Sequence, residues 1–158
     1  MTDWDEQFAV IWADEELTDD ERVERIDSLA FAWGDNAVVL FHRAGARDAA
    51  GREEEAEPLY RRALALGLDD EHRVQAVVQL ASTLRNLGSV DEALEMLADE
   101  YANHQASSYR DEVAAFYALA LATGGNAQRA TSVALTALAP HLSRYTRSVT
   151  AYAAELSA

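Results

Sequence analysis

No cysteine occurs in the sequence, so neither a disulfide nor a thiolate metal site is available to it. Lysine is missing as well, and all thirteen basic residues are arginine, a usage that hints at a GC-rich coding sequence. Proline is confined to Pro58 and Pro140, which leaves long stretches free to run as helix, because only proline removes the backbone donor. No apolar run approaches the ~20 residues that a membrane-spanning helix needs. The first residues, "MTDWDEQF", are acidic where a secretory leader would be basic. Strand-like clusters of Val, Ile, Thr and aromatics are scarce. These deficits point to an all-α protein with the cytoplasm as its expected setting.

Apolar residues make up 49% of the 158-residue chain and charged ones 26%, the balance of a globular protein. Alanine, which loses no side-chain entropy in a helix, is abundant. A single domain over residues 1–158 is expected, large enough to bury roughly two-thirds of its unfolded surface. The net charge of −15 is uneven: residues 1–36 hold 12 acids against Arg22 and Arg25, and residues 37–158 hold 16 against 11. Such a field repels phosphate backbones and anionic lipid, so nucleic-acid and membrane-surface roles are excluded as expectations. Read plainly, the acidity is a solubility device.

Three glycines organise the chain. Gly51, Gly88 and Gly125 stand 37 residues apart, each between two apolar-periodic stretches of a dozen or more residues. A glycine just past a helix takes the left-handed conformation that suits a tight helical hairpin, and hairpins at a fixed period indicate a repeat array. At offsets 5, 9 and 12 lie Ala56, Tyr60 and Ala63; Ala93, Leu97 and Glu100; and Ala130, Ala134 and Ala137. Small residues at the first offset let helices approach closely, and a larger one at the second fills the groove beyond. Val77, Leu80, Ala81, Leu84 and Leu87 form one apolar stripe before Gly88.

The ends read as caps. Trp4, Phe8, Ile11 and Trp12 share a face of a short first helix. Thr18 to Glu21 is a capping-box signature, as is Ser89 to Glu92. The helix after Thr18 turns Val23, Ile26, Leu29, Ala30 and Trp33 inward, and Gly34 stops it. Leu142, Tyr145, Val149, Tyr152 and Leu156 suggest a final helix over the last hairpin. Predicted helices are 4–14, 19–33, 36–49, 53–66, 71–87, 90–103, 108–123, 127–139 and 142–156. They group as acidic N-terminal helices (1–35), three hairpins (36–142) and a C-terminal capping helix (143–158). Capping ends are needed because an uncovered terminal hairpin exposes apolar surface.

The segments "EAEPLYRRALALGL" (55–68), "QLASTLRNLGSVDEALEML" (79–97) and "ALTALAPHL" (134–142) resemble tetratricopeptide (TPR) repeats, in particular a small bacterial group labelled tetratricopeptide repeat group five. The resemblance covers residues 37–142. It implies a right-handed α-solenoid of about three hairpins, a function in protein or peptide binding, and homodimer formation. Two departures stand out: Arg43 and Arg47 replace the usual leucine and large apolar residue, and Ala134 stands where an aromatic or leucine is usual.

The resemblance also places a binding groove, lined by the first helix of each hairpin. Repeat one offers Val38, Phe41, His42, Gly45 and Asp48. Repeat two offers Gln75, Val78, Gln79, Ser82, Arg85 and Asn86, and repeat three offers Glu112, Ala115, Phe116 and Leu119. Arg85 is the leading contact, because its planar guanidinium can grip a carboxylate through two parallel hydrogen bonds. The structural alternative pairs Arg85 with Asp48 and leaves Asn86 to cap a helix end. The carboxylate clamp that holds chaperone tails uses lysines, which this chain lacks.

Catalytic and cofactor chemistry finds little support. His42, His72, His104 and His141 are scattered, and Glu100 with His104 at i, i+4 supplies only two ligands, too few for a metal. Glu53, Glu54 and Glu55 begin a helix, where they favour the positive end of its dipole. Ser82, Ser107 and Ser108 lack a nucleophile-elbow context. "TGGN" (123–126) lacks the lysine and preceding strand of a phosphate loop and reads as a hairpin turn. The expectation is a non-enzymatic scaffold without cofactor or metal, binding a protein or peptide and self-associating as a homodimer. The alternatives are a self-assembling structural protein without external ligand, or an enzyme with a site convergent in space. Candidates for a self-contact are Trp4, Phe8, Trp12, Tyr109 and Tyr152.

Overall fold

The computed structural model describes residues 3–103 and 108–157, with side chains from residue 6 onward. It is all-helical among those residues. The order is α1 (Asp3–Ala13), α2 (Asp19–Trp33), α3 (Ala37–Ala49), α4 (Glu53–Leu66), α5 (Asp70–Asn86), α6 (Val90–Asn103), α7 (Arg110–Thr123), α8 (Ala127–Leu138), a 3-10 turn (Ala139–His141) and α9 (Thr146–Glu155). Neighbours in sequence pack together, α1 on α2, α2 on α3 and α3 on α4, and again α6 on α7, α7 on α8 and α8 on α9, as expected for TPR-like units with flanking helices.

The 37-residue period has one local geometry. Gly51, Gly88 and Gly125 have φ of 69°, 88° and 85°. At each, the glycine N–H bonds the carbonyl three residues back and the next N–H bonds the carbonyl five back. The pairs are Gly51 to Asp48 with Arg52 to Arg47, Gly88 to Arg85 with Ser89 to Leu84, and Gly125 to Ala122 with Asn126 to Leu121. Two carbonyls left free at each helix end are thereby satisfied, and the chain reverses at once. The segment "TGGN" is one of these turns.

Helix starts follow the side-chain chemistry. The Thr18 hydroxyl accepts from the Glu21 N–H while the Glu21 carboxylate accepts from the Thr18 N–H, the reciprocal box read from the sequence. Asn36 and Asn126 cap α3 and α8 by accepting from Val39 and Arg129.

The chain divides into two compact units, residues 1–83 and 84–158. In the first, Phe8, Val23, Ile26, Ala30, Val39 and Ala46 form a buried cluster, with Ile11, Trp12, Leu29 and Ala50 packed against it. Each large member contributes roughly 1.5–3 kcal/mol through burial. Ala56, Tyr60 and Ala63, at the three small-or-large offsets, are fully buried. Trp33, expected inward, is instead 42% exposed, because it closes the last turn of α2 beyond the reach of that cluster.

Arg43 and Arg47, the two departures of repeat one, are matched by acids. Arg47 holds both carboxylate oxygens of Asp27 on α2, at 2.7 and 3.1 Å, and reaches Glu55 on α4. Arg43 bonds Asp27 at 2.9 Å and Asp35 at 3.1 Å. Burial works against the Asp27 carboxyl, but the hydrogen bonds from Arg47 and Arg43 outweigh it and hold its pKa below the usual value. Ionic pairing thus joins α2 to α3 where leucine packing is usual.

In the second unit, α8 packs on α7 and α9 on α8. The Ser132 hydroxyl donates to the Ala153 carbonyl at 2.7 Å, beneath the fully buried Ala153. The C-terminal helix starts later than the sequence suggested. Pro140 has no N–H to extend α8, so the last turn tightens to a 3-10 turn and Leu142 is extended. Tyr145 has a left-handed φ of 67° and is 75% exposed, and Tyr152 is 62% exposed. Of the anticipated apolar stripe, Leu142, Val149 and Leu156 are half-buried, while Tyr145 and Tyr152 face outward and Ala153 makes the fully buried contact. Ala134 is exposed as well, and Ala137 is half-buried.

Candidate functional site

In the first unit, α3 presents Val38, Phe41, His42, Gly45 and Asp48 at i, i+3, i+4, i+7 and i+10, one face of the helix. That face is already occupied. Phe8 stacks on His42 with ring centroids 4.3 Å apart, and the Trp12 Nε1–H donates to His42 Nδ1 at 3.1 Å. The indole lies over Gly45 so closely that a Cβ there would sit 3.4 Å from Trp12 Cζ2 and 3.6 Å from Gln79 Oε1. The Arg22 guanidinium lies over the indole, 5.7 Å from its centroid. Phe41 meets His42, Tyr60 and His72 edge-on or tilted, at 5.3, 6.3 and 5.5 Å. His72 is held in turn by Asp69, 2.6 Å from its Nδ1.

Beneath this aromatic group lies a polar network. Tyr60 donates its hydroxyl to Gln79 Oε1 at 2.6 Å and approaches Asp48 Oδ2 at 3.5 Å, while the fully buried Thr83 donates to Asp48 Oδ1 at 3.0 Å. Burial raises the Asp48 pKa, Thr83 opposes it, the charge of Glu53 adds to it and Tyr60 again opposes. Burial likewise pushes the Tyr60 phenol up. A raised carboxyl in a satisfied network fastens α3, α4 and α5 together. Gln75 and Ser82 are half-buried on α5, and Val78 is buried.

In the second unit the corresponding face of α7 is open. Val113, Ala114, Tyr117, Ala118, Ala120 and Leu121 are buried, while Glu112 and Ala115 are exposed, Phe116 is half-buried and Leu119 is 48% exposed. The same unit contains the last turn of α5. There Arg85 directs Nη2 to Asn86 Oδ1 at 3.3 Å, and its buried Nε has no hydrogen-bond partner. A buried donor without a partner costs about 1–3 kcal/mol.

Sequence reading named His42, Phe41, Asp48 and Gln79, and the structure gathers these four around Trp12 and Tyr60. It missed the roles of Trp12, Tyr60, His72 and Thr83. Two signals were present: a tyrosine at a buried offset needs a partner for its hydroxyl, and Gly45 inside a helix costs about 1 kcal/mol against alanine, a hint of close approach. Phe8, expected to be available for self-contact, is fully buried. Tyr109 and Trp12 are half-buried, and Tyr152 is exposed. His104, Ser107 and the side chain of Trp4 lie outside the described residues, and Glu100, the other member of the i, i+4 pair, is buried. Among those described, no group of three or more His, Asp or Glu is arranged to hold a metal ion, and no helix is long and apolar enough to cross a membrane.

A family model described as Tetratrico peptide repeat matches residues 37–156. No curated protein and no solved structure matches the chain.

Proposed function

Because the chain belongs to the tetratrico peptide repeat family, whose helical repeats generally mediate protein interactions, we propose that it is a non-enzymatic scaffold that captures a peptide or protein segment. The supporting observation is the open stripe on α7. Glu112, Ala115 and Leu119 are exposed and Phe116 is half-buried, beside the buried Val113, Ala114, Tyr117, Ala118, Ala120 and Leu121. Phe116 and Leu119 offer an apolar seat, and the guanidinium of Arg85 offers donors for a carboxylate of the bound segment. Asn86, beside Arg85 at the end of α5, adds an amide contact. His42, turned toward α1, holds Trp12 in place, and Phe41 packs against His42, Tyr60 and His72. The net charge of −15 supports a protein rather than a nucleic-acid partner.

Selection from a random peptide library on the immobilised full-length chain tests this. The expected result is enrichment of apolar peptides carrying an acid, bound saturably, with affinity lowered about tenfold or more by Arg85→Ala, as loss of a charged hydrogen bond predicts. Leu119→Asp abolishes capture. Equal enrichment on the wild type and on the Leu119→Asp chain refutes the reading.

A further inference from the structure

The two ends of the chain are electrostatic opposites, and each exposes apolar side chains. Residues 1–36 carry 12 acids against two arginines, whereas residues 113–158 carry Glu155 as their only acid against Arg129, Arg144 and Arg147. At the C-terminal end, Arg144 and Arg147 are exposed and enter no ion pair among the described residues. They flank Tyr145, which is 75% exposed, and α9 goes on to Tyr152, 62% exposed. At the N-terminal end, a cleft of about 600 Å³ opens between α1 and α2. Val10, Ile11 and Leu29 supply its apolar lining, and Glu6, Gln7, Arg25 and Ser28 its polar lining. Val10 is 70% exposed there.

We propose that these surfaces bind each other between copies: the α1–α2 cleft of one molecule receives the α9 segment of a second, head to tail. Charge decides against like-on-like contacts. The acidic hairpin set against itself, or the arginine-bearing end against itself, would bring like-charged surfaces together, and these repel. The heterologous contact sets Arg144 and Arg147 against the acidic hairpin. Tyr152 and Glu155, at i, i+3, share a face of α9. Tyr152 enters the apolar part of the cleft while Glu155 meets Arg25, so the one acid of the incoming segment faces the one base lining the cleft. Both tyrosines, exposed in the single chain, thereby gain apolar cover. This contact lies outside the α7 stripe and Arg85, so it stands or falls independently of peptide capture.

Multi-angle light scattering and sedimentation equilibrium on the full chain provide the test, with Val10→Asp blocking the cleft and Tyr152→Asp blocking α9. Both positions are exposed, and far-UV circular dichroism verifies that the variants fold. The wild type is expected to gain mass as concentration rises, with apparent affinity at least threefold weaker at 500 mM than at 50 mM salt. Each variant alone stays monomeric. An equimolar mixture of the two variants forms a 1:1 dimer and nothing larger, because each retains one competent end. A wild type that remains monomeric at several hundred micromolar overturns the proposal. So does a dimer that survives either substitution, or a mixture that fails to restore association.

Discussion

The indole N–H of Trp12 donates to Nδ1 of His42 at 3.1 Å, across thirty residues of sequence. Because Nδ1 accepts, neutral His42 carries its proton on Nε2, and the ring is fixed in one orientation between Trp12 and the stacked Phe8. This contact docks α1 on α3.

Trp12→Phe keeps an aromatic ring over Gly45 but removes the donor. Unfolding in urea should show a loss of about 1 kcal/mol, the usual net worth of one such bond. His42→Phe in the Trp12→Phe background should then cost less than His42→Phe alone, since the shared bond is already gone. Strict additivity would show that the bond contributes nothing.

Asp48 and Asp27 respond to acid in opposite directions. The folded-state pKa of Asp48 is raised, chiefly by burial. The fold therefore binds a proton that the unfolded chain gives up, and stability falls as pH rises from the ordinary 3.8 through the raised value. Asp27 is held below 3.8 by Arg47 and Arg43 against the opposing effect of burial. Its contribution is present above 3.8 and is lost as pH falls through the lowered value. Asp48→Asn should be more stable than the wild type near pH 7, with the gap closing on acidification. Asp27→Asn should be less stable near pH 7, with its gap closing only below pH 3.8. Chemical denaturation of the three proteins at several pH values checks both trends, and a pH-independent gap in either case contradicts the assignment.

The three periodic glycines offer a test of backbone strain alone. A Cβ at Gly51, Gly88 or Gly125 meets nothing within 4 Å, so alanine there brings no clash, only the left-handed penalty of about 1–2 kcal/mol. Gly88→Ala should lower stability by about that much and Gly88→Asn by less, because asparagine enters this region more readily. Thermal unfolding would reveal it, and equal losses for the two would point to another cause.

These features differ in how much of them the sequence makes readable. The hairpin turns are legible because each depends on a single residue type at a fixed interval. The Thr18–Glu21 box is legible because both partners lie within one turn. Trp12 on His42 and Thr83 on Asp48 are not, since their partners stand thirty and thirty-five residues apart and nothing local marks them. Asp48 also shares its helical register with groove positions, so spacing alone made a structural acid look like a ligand contact. The late start of α9 follows from Pro140, but a periodic apolar pattern running through Leu142 and Tyr145 concealed it. Arg43 and Arg47 depart from the usual apolar pattern because their acidic partners lie earlier in the chain, Asp27 on α2 and Asp35 in the connection that follows it.

The matching turns at Gly51, Gly88 and Gly125 make the chain modular in a literal sense. Each bend closes with the same two backbone bonds. A length running from one of these glycines to the next is thus an exchangeable part, and inserting or excising 37 residues at those joints changes the number of parts while every hinge keeps its form.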